Sequence, residues 1–312
     1  MTQPAIQVQD LCKKYGPVLA VDRVSFAIAP GELVGFLGQN GAGKTTTMRI
    51  LTTYMAASSG SATVAGYDIM YQSMDVRKNL GYLPESVPLY PEMRVEEYLL
   101  YRAKLKQIDR SVRTSRIDYC LDKCRIKEVR RRLLSTLSKG YRQRVGLADT
   151  LLADPLVLIL DEPLTGLDPV QQEETLSAIR GLGGKHTVLF SSHHLPDVEK
   201  VCDRVIIIDR GRLRYDDRLS TIQNKAPIYL VEVRGPGQEV FDLIKGLPGI
   251  TEIKPTSTDE GFTTFELRTA HGDDPREKVA KKMIEKGFGV RRLQLRREKL
   301  EDTYMRVVFQ RG

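Results

Sequence analysis

The stretch GQNGAGKTT, residues 38–46, decides the fold of this 312-residue chain. It fits the pattern G-x-x-x-x-G-K-[ST] through Gly38, Gly43, Lys44 and Thr45. In this pattern the glycines let backbone N–H groups approach phosphate oxygens closely. The lysine reaches the β- and γ-phosphates, and the hydroxyl that follows it binds Mg²⁺. The stretch therefore predicts a loop that holds a nucleotide phosphate.

The residues on either side of this phosphate loop (38–46) provide the context that it requires. The sequence ELVGFL at 32–37 is short and mostly apolar, which predicts a buried strand. The sequence TTTMRIL at 45–51 has no glycine or proline and predicts the start of a helix. The N-terminus of such a helix adds a partial positive charge. The expected nucleotide contacts in the loop are Gly38, Asn40, Gly41, Gly43, Lys44, Thr45 and Thr46.

A second candidate element is LVLILDEP at 156–163, an apolar strand that ends in two carboxylates. Asp161, at the tip of the strand, is expected to hold Mg²⁺ opposite Thr45. Glu162 is expected to lie beside the γ-phosphate and to polarise the attacking water. Together with the phosphate loop, the two acids predict a site for Mg·ATP.

The net charge of +8 is concentrated in the basic stretch, residues 101–144, which has 15 Lys/Arg against 4 Asp/Glu. Nucleic acid, an anionic membrane surface and an acidic protein partner are all compatible with this charge, as is a solvated helical face. The hydrophobic content of 41% is ordinary for a globular protein. No apolar run approaches the ~20 residues of a membrane span. The N-terminus lacks a basic-then-apolar signal, so we expect the protein in the cytosol.

The four cysteines are too few and too scattered for a disulfide framework. Cys120 and Cys124 are one helical turn apart, which would suit a metal pair or ordinary packing on one helix face. Because no second pair accompanies them, the pattern favours packing.

Strand and helix patterns divide the chain near residue 220. Before that point they alternate, with a polar, helical stretch at 93–132, which predicts an α/β core with a helical insertion. After it, the order β-α-β-β-α-β predicts a ferredoxin-like sandwich, followed by a terminal helix at 299–310. Strands are expected at 6–8, 24–29, 157–160, 187–190 and 205–209, and in the tail at 228–233, 251–254, 262–267 and 290–295, with helices at 238–245 and at 275–286, the latter capped by Asp274.

The segment LSKGYRQR at 137–144, here called the signature segment, resembles the signature of ABC transporter ATP-binding subunits. The family pattern is LSGGQ; Lys139 replaces its first glycine and Tyr141 its glutamine, while Ser138 and Gly140 are kept. The resemblance implies that Ser138 and Gly140 contact the γ-phosphate of ATP bound to the opposite subunit, from a helix N-terminus.

Other motifs follow in the order of the same family. The resemblance implies that Tyr15 stacks on adenine, and that Asp168, in TGLD at 165–168, lies in a loop that crosses the dimer interface. It also implies that His193 contacts the γ-phosphate as a switch histidine. In GYLPE at 81–85, Glu85 stands where the family usually has glutamine, in the loop that links the nucleotide to the membrane partner. From that place Glu85 could reach Mg²⁺ or its water. This form, like the ending LEDTY at 300–304, resembles an export branch that includes drug-resistance and gliding-motility ATPases.

The expected fold is therefore α/β: a P-loop ABC ATPase core with a helical subdomain, plus a small α+β ferredoxin-like C-terminal domain. The expected limits are 1–221 for the nucleotide-binding domain, with its helical subdomain at about 86–150, and 222–312 for the accessory domain.

The resemblance implies an ATPase with Glu162, His193 and Lys44 as catalytic residues and with ATP and Mg²⁺ as cofactors. Thr45, Asp161 and Glu85 are the expected metal ligands. It also implies a homodimer, peripheral on the inner face of the cell membrane, that powers export through a separate membrane-spanning permease. Two alternatives stay open. The first is a soluble ABC ATPase that acts on nucleic acid or ribosomes, although such proteins often carry two ATP sites or a long coiled-coil insertion, which this sequence lacks. The second is a regulatory module whose ATP site is only structural, against which Glu162 and His193 argue.

Overall fold

The computed structural model describes residues 3–224, 227–270 and 273–309. The chain divides into two compact units, a larger one that runs to Leu219 and resumes at Val307, and a smaller one of Ser220–Arg306. The limits 1–221 and 222–312 for separately folding domains stay a prediction. His271 and Gln310, the latter at the end of the expected terminal helix, lie outside the described residues.

The larger unit alternates strands and helices along the chain. Its strands are β1 (Ile6–Tyr15), β2 (Val18–Ile28), β3 (Leu33–Leu37), β4 (Ser59–Val64), β5 (Tyr67–Asp68), β6 (Leu80–Leu83), β7 (Val157–Leu160), β8 (Thr187–Ser192), β9 (Arg204–Asp209) and β10 (Arg212–Arg218). Its helices are α1 (Lys44–Leu51), α2 (Ser73–Asn79), α3 (Val95–Leu105), α4 (Arg110–Lys123), α5 (Lys139–Leu151), α6 (Pro169–Arg180) and α7 (Leu195–Val201), and α8 (Leu219–Gln223) follows at the unit boundary.

A six-stranded sheet in the order β10-β9-β3-β8-β7-β6 positions the candidate site. All of its pairs are parallel except β10 with β9. Every residue of β3, β7 and β8 is buried, as expected for parallel strands covered on both faces. Because the strands are parallel, the carboxyl ends of β3, β7 and β8 meet at one edge, where α/β sheets bind ligands.

The second sheet of the larger unit is antiparallel, in the order β2-β1-β4-β5. Strands β1 and β2 are longer than the apolar patterns at 6–8 and 24–29 predict. Backbone pairing between them continues to the turn that joins Tyr15 to Val18. The sequence pattern marks only the part of each strand that faces the core, so it underestimates their length.

The helical subdomain consists mainly of α3, α4 and α5 and contains an ion cluster in which Asp149 is buried and two cations are half-buried. Asp149 of α5 accepts from Arg102 Nε of α3 at 3.0 Å, and its Oδ1 lies 3.0 Å from Lys106 Nζ. Burial lowers the pKa of Lys106, although the charge of Asp149 opposes this effect. Removing one partner of such a cluster leaves the other charges buried, so the cluster ties α3 to α5.

The smaller unit has the ferredoxin-like order expected from the sequence. It contains β11 (Ile228–Arg234), α9 (Gly237–Lys245), β12 (Ile250–Asp259), β13 (Phe262–Thr269), α10 (Arg276–Glu285) and β14 (Gly289–Arg296), with α11 (Leu300–Val308) at its end. The strands form an antiparallel sheet in the order β12-β13-β11-β14. Val231 and Phe265 of the sheet share a core with Val240 of α9 and Met283 of α10. The unit therefore has an apolar core of its own.

Two local details of the smaller unit differ from the expectations. Strand β12 is ten residues long, whereas the pattern marks only 251–254, because its outer half is exposed and polar. The N-cap of α10 is Pro275, not Asp274. Asp274 still accepts the backbone N–H of Arg276 at 3.0 Å, so it serves the same helix end from one residue further out.

Candidate functional site

The phosphate loop joins β3 to α1, and its glycines are required by close backbone approaches. Gly43, the N-cap of α1, has φ of 107°. A Cβ there would lie 2.6 Å from the carbonyl oxygen of Ala20, and one on Gly38 would lie 2.4 Å from that of Ile208. Larger residues would push the loop away from its neighbours, so the glycines fix its path.

Lys44 turns back over this loop rather than extending into solvent. Its side chain is 5% exposed, and Nζ donates to the carbonyl oxygens of Gly38 at 2.7 Å and Gln39 at 3.3 Å. The same ammonium lies 3.5 Å from Oε1 of Glu162. The buried ammonium of Lys44 is therefore held at the phosphate loop, beside the carboxylate of Glu162, which follows β7.

Asp161 is joined to α1 and to β8 through hydroxyl groups. Its Oδ1 accepts from Ser191 Oγ at 2.8 Å and from Thr45 Oγ1 at 3.4 Å. Ser191 Oγ also accepts the backbone N–H of Glu162 at 2.8 Å. Thr45 and Asp161 thus place two oxygen donors together, which is the ligand chemistry that Mg²⁺ prefers.

Glu162 is held by contacts to both of its carboxylate oxygens. Its φ of 48° is one of ten positive values among the described non-glycine residues, so the backbone alone does not single it out. Its Oε2 accepts from Thr165 Oγ1 at 3.2 Å and faces His193 Nδ1 at 2.8 Å. Oε1 is buried and accepts no hydrogen bond from the residues that the structure describes. Buried acceptors without a hydrogen bond are uncommon, and such an oxygen at the border of a cleft is available to a bound water or ligand.

These residues border a cleft of about 360 Å³ at the carboxyl edge of the sheet. Most of the loop residues expected to contact nucleotide are in its lining, as are Glu85, Glu162 and His193. The lining consists of Ala20, Gln39, Asn40, Gly41, Gly43, Lys44, Thr45, Thr46, Glu85, Glu162, Thr165 and His193. Two of the expected site residues, Gly38 and Asp161, are outside the lining. Gly38 contacts Lys44 and Asp161 contacts Thr45, so both adjoin it.

Tyr15 is outside the lining of this cleft. It ends β1, is 45% exposed, and its hydroxyl lies 3.1 Å from the sulfur of Met55. The ammonium of Lys13 lies 5.4 Å from the centre of its ring. The exposed ring leaves room for a nucleotide base to stack on it. The contact with adenine stays a prediction.

The signature segment also lies outside the cleft lining. Ser138 is the N-cap of α5 and accepts the N–H of Tyr141 at 3.4 Å. The N–H of Gly140 donates to Oε1 of Gln171 at 3.1 Å. Asp168 is the N-cap of α6 and accepts the backbone N–H of Gln171 at 2.9 Å. Within one chain, Ser138, Gly140 and Asp168 therefore form a second cluster.

Sequence reasoning missed three residues that organise these clusters. Ser191 connects Asp161 to Glu162, Thr165 contacts Glu162, and Gln171 contacts the signature segment. The available signals were weak: Ser191 directly follows an apolar run, and Gln171 is three residues after Asp168. Neither signal indicates which distant residue is the partner.

The two cysteines of α4 and its C-cap are packing residues. Both are buried, and burial raises the pKa of the Cys120 thiol to about 12. The pKa of Cys124 is likewise raised by burial. In the part of the chain that the structure describes, no three His, Cys, Asp or Glu side chains are placed to hold a metal ion together. The expected Mg²⁺ ligands Thr45, Asp161 and Glu85 stay a prediction; the first two are in contact through their side-chain oxygens.

No helix among residues 3–224, 227–270 and 273–309 is both long and apolar enough to cross a membrane.

The fold and the cleft define a P-loop nucleotide-binding protein, and comparison with known proteins narrows the class. The family model described as "ABC transporter" matches residues 21–165. The uncharacterized ABC transporter ATP-binding protein YxlF of Bacillus subtilis is 32% identical over 305 residues, which are 97% of this chain and 99% of that protein. The daunorubicin resistance ATP-binding protein DrrA2 of Streptomyces coeruleorubidus is 30% identical over 315 residues, 98% of this chain and 96% of that protein.

A solved structure described as the ATP binding subunit of an ABC transporter is also similar. The aligned residues are 71% of this chain and 92% of the chain in that structure, with a TM-score of 0.64 and 29% sequence identity. The chain belongs to the ABC transporter ATP-binding family, whose members are ATPases.

Proposed function

We propose that this chain hydrolyses Mg·ATP to power export through a separate membrane-spanning protein. The observation that carries the proposal is the convergence of Lys44, Glu162 and His193 on one cleft. A nucleotide site that is only structural requires the phosphate loop but not a buried carboxylate placed between Lys44 and His193. Export is favoured because DrrA2, similar over nearly its whole length, is by name a resistance protein.

The residues present fit ATP and Mg²⁺. The narrow glycine loop, the buried ammonium of Lys44 and the N-terminus of α1 suit the phosphates. Thr45, Asp161 and Glu85 would hold Mg²⁺. Thr45 contacts Asp161, and Thr45 and Glu85 both line the cleft. The ion, when bound, would neutralise charge on the phosphate oxygens. Tyr15 would stack on the adenine.

Glu162 is the proposed general base for hydrolysis. A water oxygen forms a bond to the γ-phosphorus as the bond from that phosphorus to the β–γ bridging oxygen breaks. The proton of the water passes to the Glu162 carboxylate, and the products are ADP and phosphate. His193 orients Glu162 through Nδ1 and lines the same cleft, where it would hold the geometry of the γ-phosphate.

The second cluster implies that two chains act together. Ser138, Gly140 and Asp168 do not line the cleft of their own chain. The family motifs nevertheless assign Ser138 and Gly140 to a γ-phosphate and Asp168 to the dimer interface. A second copy, packed head to tail, would bring them to the ATP of its partner. ATP binding would then close the dimer, and hydrolysis would release it.

The basic stretch is the proposed contact with the membrane partner and with anionic lipid. The structure reduces its free charge, because six of its fifteen cations pair with carboxylates: Arg102, Lys106, Arg116, Lys127, Arg130 and Arg144. Exposed cations such as Lys104, Lys123, Arg131 and Arg132 stay available. Anionic lipid and an acidic protein surface both suit exposed cations of this kind.

The test is reconstitution of the chain with a membrane-spanning protein encoded beside it. Stimulated ATP turnover together with outward movement of a substrate, measured in inside-out vesicles, is expected. Turnover stimulated instead by ribosomes or duplex DNA would establish the alternative of an ABC ATPase acting on nucleic acid. A chain that binds ATP without any turnover in either setting would be a regulatory module.

A further inference from the structure

Gln171 of α6 occupies the start of the signature helix α5. Its Oε1 accepts the N–H of Gly140 at 3.1 Å, and its Nε2 donates to Ser138 Oγ at 3.3 Å. The contact is tight, because a Cβ on Gly140 would lie 2.2 Å from Oε1 of Gln171. One carboxamide thus satisfies the two groups that the family motif assigns to a phosphate.

The position of Gln171 is fixed by its own helix end. Asp168 caps α6 and accepts the backbone N–H of Gln171 at 2.9 Å. Arg144 and Glu174, further along α5 and α6, form an ion pair at 2.9 Å. The two helices therefore hold the carboxamide in register with Gly140.

The surroundings favour an anion over a neutral amide. The helix N-terminus at Gly140 carries a partial positive charge. A Cβ on Gly166 would lie 2.4 Å from Nζ of Lys139, which places that ammonium over the TGLD loop next to the same helix end. The Gln171 oxygen is thus a neutral acceptor at a place built for a charged one.

We propose that the carboxamide of Gln171 stands in for a phosphate oxygen on Gly140 and Ser138, so that ATP bound to a partner chain must displace it when the dimer closes. The inference rests on the proposed function, in which the signature segment contacts the γ-phosphate of the partner. Gln171 then sets how much ATP is needed to close the dimer. Without it, the N–H of Gly140 would already be free for the phosphate.

Two substitutions of Gln171 separate this role from structural support. Gln171→Ala removes the competing oxygen and should tighten ATP-driven dimerisation. One net hydrogen bond corresponds to up to about tenfold in an equilibrium. The carboxamide makes two such bonds in each chain, and both chains of a symmetric dimer would release theirs. Gln171→Glu keeps the size of the side chain but adds an anion, which binds the helix end more strongly and repels phosphate. It should weaken dimerisation, and added salt should reduce the effect.

Gln172 supplies the matched control. It is the next residue of α6, is also half-buried, and its amide donates to the carbonyl oxygen of Leu167 at 3.1 Å rather than to α5. Gln172→Ala and Gln172→Glu repeat the same changes of size and charge one residue away. Their dimerisation should match that of the parent chain.

The experiment uses the full chain carrying Glu162→Gln, to prevent turnover, and analytical ultracentrifugation during titration with Mg·ATP. Opposite shifts of the Gln171 pair, with unchanged Gln172 controls, support the inference. Weakening by both Gln171 substitutions would make Gln171 a support of the signature helix and overturn it, as would shifts equal to the controls. If the parent chain binds ATP but never dimerises, the proposed two-chain mechanism itself fails, and this inference with it.

Discussion

Nδ1 of His193 lies 2.8 Å from Oε2 of Glu162, although 31 positions separate the two residues in the chain. A carboxylate can only accept, so Nδ1 carries the proton and the ring is fixed in one orientation. The same carboxylate lies 3.5 Å from the ammonium of Lys44 through its other oxygen. The proposed base is therefore positioned by a cation on one side and by an imidazole on the other.

Glu162→Gln should abolish steady-state hydrolysis while ATP binding remains. The carboxamide oxygen can still accept from His193, so the geometry is kept and only the proton acceptor is lost. Removal of a general base lowers rates by about 10²- to 10⁴-fold. Phosphate release and nucleotide affinity, measured separately, check this, and the variant should accumulate as an ATP-bound dimer. Lys44→Ala is the contrasting variant and should weaken binding itself; near-normal turnover by Glu162→Gln would remove Glu162 from the role of base.

Ser191→Ala should lower turnover although Ser191 does not line the cleft. Its hydroxyl connects Asp161 to the N–H of Glu162, and its loss leaves a buried carboxylate oxygen and a backbone donor less well satisfied. A cost of about 1–3 kcal/mol is expected for such groups, shared between stability and catalysis. Thermal unfolding and kcat/KM measure the two parts. Ser192→Ala is the control, because the Ser192 hydroxyl hydrogen-bonds to the backbone of His194 and does not connect Asp161 to Glu162. Equal losses in both variants would contradict the bridging role.

Glu85→Gln should change coupling more than ATP affinity. Glu85 lines the cleft but follows β6, in the loop assigned by resemblance to the membrane partner. The measurement is substrate moved per ATP hydrolysed in the reconstituted complex. Glu92→Gln, an equal charge change at an exposed position seven residues on, should leave that ratio unchanged. An unaltered ratio for Glu85→Gln would exclude it as the coupling residue.

Neutralising Arg131 and Arg132 together should weaken association with anionic vesicles. Each exposed cation near such a surface contributes ~1 kcal/mol, so the pair should lower partitioning by roughly 30-fold at low salt. High salt should remove the difference. Lys281→Gln with Lys286→Gln makes the same charge change on exposed residues of the smaller unit and serves as the control. Association that persists unchanged in both salt and variant, or tight binding to duplex DNA with a steep salt slope, would count against a membrane role.

Arg130 should behave differently from its two neighbours. It pairs with Glu96 at 2.6 Å and with Asp118 at 2.7 Å. The hydrogen bond from Arg130 lowers the pKa of Glu96, so this pair stabilises the fold above the ordinary Glu pKa and loses its effect as pH falls through the lowered one. Both side chains are partly exposed, so Arg130→Gln should cost less than about 1 kcal/mol at neutral pH and nothing in acid. Chemical unfolding at the two pH values tests the sign.

Residues 222–312 should contribute to subunit association rather than to the nucleotide site. All cleft residues lie before His194, and the smaller unit has its own core. Its sequence has 17 basic against 14 acidic residues, too balanced for a nucleic-acid platform. A 1–221 fragment, checked for cooperative unfolding, should bind ATP yet dimerise more weakly without nucleotide in analytical ultracentrifugation. Identical equilibria for the two chains would exclude dimerisation and leave regulation or passive stabilisation.

The sequence by itself determined the parts of this protein that depend on local chemistry. The phosphate loop, its strand and its helix follow from residues 32–51, because glycine freedom and apolar patterning act over a few positions. The β-α-β-β-α-β order of the tail could be predicted for the same reason. Strand β7, the continuous apolar run just before Asp161, has the limits that its pattern predicts, 157–160.

Only the tertiary structure decided which distant groups meet. Parallel pairing of β7 with β8 brings Ser191 to Asp161 and Glu162, and packing of α6 on α5 brings Gln171 to Gly140. The charge of the basic stretch was visible in the sequence, but the pairing of six of its cations was not. The physical reason is that a hydrogen bond or ion pair depends on distances of a few ångströms, which strand order and helix packing set and which spacing along the chain does not encode.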